Sequence, residues 1–115
     1  MTIIPKEFFV TSGKAVSSVS KLNAFDLALK NAGINQCNIV KVSSIIPPKC
    51  KEVEQRTIPI GAITYAVLAR MDGSEGATIS AGIAWTYEEN SSYGICLLYT
   101  SDAADEGLGV DLGGR

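Results

Sequence analysis

One segment with helical periodicity, followed only by strand-like runs, is what most limits how this chain can fold. Leu22, Phe25, Leu29 and Ala32 recur at the spacing that puts apolar side chains on one helix face, and Gly33 follows where a helix can end. The spacing predicts a helix over Leu22–Ala32. Ahead of it, Phe8–Val10 reads as a short strand and Thr11–Ser20 as a polar loop. Behind it, Asn38–Ser44 carries β-branched Ile39, Val40 and Val42 and reads as a strand. Pro47–Pro48 ends that strand, because neither proline can donate to a ladder. Ile58–Met71 is β-rich, with Gly61 as a candidate bulge. Met71–Ser74 is a turn signal, Thr78–Tyr87 another strand, and Tyr93 opens a further one. No internal repeat is present. Strand, helix, then strands at hairpin spacing predict an α+β layered fold with mostly antiparallel pairing.

A chain of 115 residues is one small domain, and its 46% hydrophobic content supports a core. So short a chain leaves apolar surface exposed, which favours association with copies of itself. A net charge of -2 points to neither nucleic acid nor membrane as partner. No apolar run is long enough to span a bilayer, and Met1–Lys6 has no signal-peptide core, so the expected location is the cytoplasm. Cys37, Cys50 and Cys96 are odd in number and lack metal-ligand spacing; buried free thiols are expected. The chain has no histidine. That excludes nucleophiles activated by histidine and every histidine-ligated metal site. Catalysis must then use carboxylates, hydroxyls, backbone groups, or a carbonyl that the protein makes itself.

The last twenty residues differ in character. Residues 1–95 hold nine Lys/Arg and eight Asp/Glu, a net of +1, whereas residues 96–115 hold one and four, a net of -3. Back-translation is more specific. Cys96–Ser101 (CLLYTS) is what TGT-CTC-TTA-TAC-ACA-TCT encodes, a string resembling the mosaic end of a transposase-based sequencing adapter, and DAADE (102–106) fits its continuation. Val110–Arg115 (VDLGGR) fits a common flow-cell adapter. The expected organisation is therefore a natural segment over 1–95 and a non-native tail over 96–115.

The chemistry centres on Val42-Ser43-Ser44-Ile45-Ile46-Pro47-Pro48. The Ser44 hydroxyl can attack the Ser43 carbonyl and exchange amide for ester. β-Elimination then leaves dehydroalanine at position 44, and hydrolysis releases ammonia and leaves a pyruvoyl group. This needs a fixed turn and a donor for the tetrahedral oxyanion. The diproline restricts Ile46 and Pro47 and helps hold such a turn. By itself the serine pair fits equally a polar strand end before a turn.

The wider pattern resembles the pyruvoyl-dependent arginine decarboxylases. The matching pieces are PKEFFVTSG (5–13), LNAFDLALKNAGI (22–34), NIVKVSSIIPP (38–48), PIGAI (59–63) and TISAGIA (78–84), in the family's order. The resemblance implies an αββα-type sandwich whose C-terminal part is missing here, a trimer with active sites between protomers, and conversion of L-arginine to agmatine with release of carbon dioxide. It implies cleavage between Ser43 and Ser44, a covalent pyruvoyl group made from Ser44 acting as electron sink, and no metal. Asn38 matches a family asparagine that assists processing. Leu22 and Asp26 match positions lining the arginine site, where a carboxylate can accept the guanidinium fork. Taken alone, Asp26 fits a solvated first-turn helix carboxylate.

One departure stands out. The family's proton-donor glutamate falls by spacing at Leu98, and leucine carries no transferable proton. The chain as written is therefore expected to be inactive in decarboxylation. A non-catalytic oligomeric binding or scaffold domain of the same fold is the rival reading, and a pyruvoyl decarboxylase for another substrate a third.

Overall fold

The computed structural model describes residues 2–87 and 93–102. Residues 103–115 of the expected tail lie outside the described residues. The chain divides into two compact units: one takes the chain up to Val40 together with Lys49–Ala66, the other Lys41–Pro48 and the chain from Val67 onward.

In the first unit the helix α1 spans Lys21–Ala32, one residue longer than the periodicity predicts. Ser20 caps its start: the hydroxyl accepts from the Asn23 N–H at 3.0 Å, satisfying a donor that the first turn leaves unpaired. Gly33 ends it with φ 82°, its N–H donating to Lys30 O and that of Ile34 to Leu29 O, both at 3.0 Å. The Ala32 carbonyl accepts from Thr11 Oγ1 and Gln55 Nε2, each at 2.8 Å, so the helix terminus is tied to two other segments. Ala32 is buried, and Phe25 and Leu29 are half-buried. Leu22 breaks the expected apolar face, for at 65% exposed it stands clear of any cover in this unit.

Two short pairings complete this unit. β1 (Glu7–Phe8) lies parallel to β4 (Lys51–Glu52), with Glu7 opposite Lys51. β2 (Asn38–Lys41) pairs with β5 (Ile63–Ala66). β2 stops three residues short of the expected Ser44, since β5 supplies a partner of only four residues. The β-rich stretch predicted over Ile58–Met71 narrows to β5 for the same reason. Gly61 is a turn residue rather than a bulge: its φ of 81° turns the chain, and its N–H donates to Gln36 O at 2.8 Å.

The second unit is an antiparallel sheet in the order β3 (Ile45–Ile46), β7 (Gly94–Asp102), β6 (Ile79–Tyr87). The sequence reading carried the β2 strand to Ser44 and stopped before the prolines; the second strand at Ile45–Ile46 exists because β7 offers it an edge. The turn expected at Met71–Ser74 lies further on, where Gly76 supplies φ 83° and the Ala77 N–H donates to Ser74 O. Arg70 instead pairs with Asp72 at 3.1 Å. Overall the described residues give the predicted α+β class with mostly antiparallel strands. Of the thiols only Cys50 is buried; Cys37 and Cys96 are half-buried, short of the expected burial. Desolvation pushes the Cys50 and Cys96 thiols above their ordinary range, with the Glu7 charge adding to the effect at Cys50.

Gly13 makes a close approach that no side chain could share. A Cβ there would collide with the Ala28 carbonyl and crowd the Ala32 N and Cβ. Backbone cannot swing aside as a flexible side chain does, so Gly13→Ala is expected to lower stability by about 1–3 kcal/mol. A denaturant midpoint shifted down by that amount, with an unchanged slope, checks this; an unshifted midpoint refutes the packing.

Candidate functional site

The serine pair sits where the chain enters β3. Ser43 is exposed and Ser44 half-buried. The register Ile45↔Ile95 runs back one step to Ser44 opposite Cys96, where the Cys96 N–H donates to the Ser44 carbonyl at 2.8 Å. The backbone on the C-terminal side of the Ser43–Ser44 bond is thus pinned to the central strand of the sheet. Lys49, just beyond the diproline, has φ 63°, an uncommon value for a residue with a Cβ.

β7 shows the alternation of a half-covered strand. Ile95 and Leu97 are exposed, Cys96 and Leu98 less so, and on β6 the partners Trp85 and Ile83 share that less exposed face. Leu98 therefore occupies the diagonal position to residue 44, two residues beyond its direct partner. Diagonal neighbours in an antiparallel pair lie about 7–8 Å apart, within reach of long side chains. On the opposite face the Tyr99 ring lies over Gly82, its direct partner, filling the space a side chain at 82 would need.

The other expected site residues belong to the first unit. Asn38 opens β2; its N–H donates to Ala62 O and its side-chain Nδ2 to Gly61 O, both at 2.8 Å. An amide nitrogen has two hydrogens, and this bond uses one. Leu22 and Asp26 stand one turn apart on α1, both exposed. The described residues thus group Ser43, Ser44 and position 98 in one unit and Leu22, Asp26 and Asn38 in the other. The sequence carried no sign of the Cys96 N–H, since a backbone donor leaves no residue-type signal; only strand register reveals it. Among the described residues no group of three or more His, Cys, Asp or Glu is placed to hold a metal ion, and no helix is long and apolar enough to cross a membrane.

Comparison with known proteins adds an independent line. The sequence profile of the family described as pyruvoyl-dependent arginine decarboxylase matches residues 7–112. A protein named pyruvoyl-dependent arginine decarboxylase 1 from Methanosarcina acetivorans is 37% identical over 86 residues, covering 70% of this chain and 52% of its own length. One named pyruvoyl-dependent arginine decarboxylase 2 from Archaeoglobus fulgidus is 39% identical over 95 residues, covering 78% of this chain and 60% of its own. One from Methanopyrus kandleri is 43% identical over 70 residues, covering 61% and 46%. The chain spans about half the length of the curated relatives it matches. With the profile spanning nearly all of the chain and a serine pair pinned at the head of a strand, the chain belongs to the pyruvoyl-dependent arginine decarboxylase family.

Proposed function

We propose that the whole protein cleaves itself between Ser43 and Ser44, turns Ser44 into a pyruvoyl group, and decarboxylates L-arginine to agmatine. The observation that carries this is Ser44 itself: in a chain of this family it follows a serine, and the sheet holds its carbonyl. The site fits the group, because Ser43 is exposed while the half-buried residue 44 is anchored through Cys96, so the new chain end stays in the ladder when the bond before it breaks. A pyruvoyl group at that end supplies an electron sink for the carboxylate-bearing carbon. Asn38, which matches the family asparagine that assists processing, keeps one amide hydrogen beyond the bond it donates to Gly61 O. Asp26 accepts the guanidinium, and Leu22 covers its aliphatic stem. Processed protomers assemble as a trimer, consistent with apolar Val16 and Val19 in the loop before α1 and Leu22 in its first turn being 93%, 78% and 65% exposed.

We also read residues 96–115 as foreign to the natural protein, on the back-translation alone; genomic sequence downstream of the Ile95 codon tests it, and the same residues found there would remove the reading. Should residues 96–115 prove native, Leu98 favours a second functional reading, a family member that assembles without decarboxylating. Intact-mass measurement tests the self-cleavage. The expected products are a fragment ending at Ser43 and one whose first residue is a ketone in place of serine, reactive with hydrazides. A chain that turns over arginine while remaining unsplit would overturn the proposal.

A further inference from the structure

Resting on the self-cleavage proposed above, we infer that the backbone N–H of Cys96 is a catalytic donor in processing, acting at the elimination step. The earlier step places negative charge on the Ser43 oxygen: Ser44 Oγ bonds to the Ser43 carbonyl carbon, the C–N bond breaks, and the Ser44 nitrogen leaves as an amine after taking a proton. The second step places charge elsewhere. Water, acting as base, takes the proton from Ser44 Cα, and the electron pair left behind spreads onto the carbonyl oxygen of residue 44 as an enolate. That oxygen is the one that receives the Cys96 N–H at 2.8 Å. The pair then returns to form Cα=Cβ as Cβ–Oγ breaks, and Ser43 departs as a carboxylate. A second water adds to the tautomerised product and ammonia leaves.

A donor already aimed at the oxygen where charge develops costs no reorganisation during the step. The ladder supplies it: Cys96 lies in the central strand, held by β6 through Trp85 on one side and by β3 on the other. Because the donor is backbone, any residue except proline supplies it, so the donor is present whichever other residue the natural protein carries at position 96. The two steps therefore have separate oxyanion donors, the one at residue 44 provided by strand pairing.

The test replaces the amide between Ile95 and Cys96 by an ester, which removes the N–H and keeps the side chain. A matching ester before Tyr99, whose N–H by strand alternation faces its partner Gly82 in the same sheet, controls for weakened pairing. Processing is followed by mass, with hydroxylamine added to aliquots to cut any accumulated Ser43–Ser44 ester. The expected result is elimination slowed about 10²–10³-fold, with the hydroxylamine-sensitive ester accumulating and a larger isotope effect from α-deuterated serine at 44. The Tyr99 control should split as the unaltered chain does. Unchanged splitting of the Cys96 ester chain, or slower splitting with only the amide form present, would overturn the inference while leaving self-cleavage standing. An unaltered chain that never splits would overturn both.

Discussion

A Leu98→Glu chain is expected to release carbon dioxide from L-arginine about 10²–10⁴-fold faster than the chain with leucine there, the usual worth of a positioned general acid. Once carbon dioxide has left, the substrate carbon needs a proton, and leucine has none to give, so water must serve. On the proposed mechanism that proton comes from position 98. Leu98 is half-buried opposite Ile83 and diagonal to residue 44, on the less exposed face of β7. A carboxyl there loses part of its hydration, which raises its pKa and keeps it protonated nearer neutral pH. Agmatine release is measured beside a companion chain in which everything after Ile95 is replaced by the family's continuation. Equal rates for leucine and glutamate would remove position 98 from the mechanism. A leucine chain as fast as the companion would show that residues 96–115 are neither foreign nor harmful.

Asp26→Asn is expected to lower kcat/KM for arginine while leaving cleavage at Ser43 unchanged. The size of the loss reports on what covers the site. In the described chain Asp26 is exposed, and an ion pair between exposed groups is worth only about 0–1 kcal/mol. If assembly closes over Asp26 and dries the carboxylate–guanidinium contact, removing one partner costs about 2–5 kcal/mol. The proposed trimer predicts the larger loss. Titrating kcat/KM against protein concentration separates the cases, since the loss should grow as protomers associate. No loss at any concentration would take Asp26 out of the arginine site.

The sequence reading succeeded where local rules act alone. The helix emerged within one residue because its apolar spacing, its Ser20 start and its Gly33 stop all agree. Most strands were legible too, but β3, β4 and the strand limits were not. β2 ends at Lys41 and β5 shrinks to four residues because each strand lasts only as long as its partner. The turn moved from Met71–Ser74 to the residues around Gly76 for a related reason: both stretches contain glycine, and only the one with positive φ turns the chain. Cys37 and Cys96 keep partial exposure because a two- or three-stranded sheet covers one face at most.

For the site, residue types named the chemistry and pairing assigned the geometry. The lack of histidine, the serine pair before two prolines and the family motifs single out Ser43, Ser44, Asn38, Leu22 and Asp26 as candidates from the letters. Their local chemistry depends on hydroxyls, amides and carboxylates that a residue name specifies. Two things depended on tertiary structure: that the Ser44 carbonyl meets the Cys96 N–H, and that position 98 lies diagonal to it. Both follow from antiparallel register between segments some fifty residues apart in sequence. A one-residue slip of that register would turn every side chain of β7 to the other face, and no local propensity encodes which register wins.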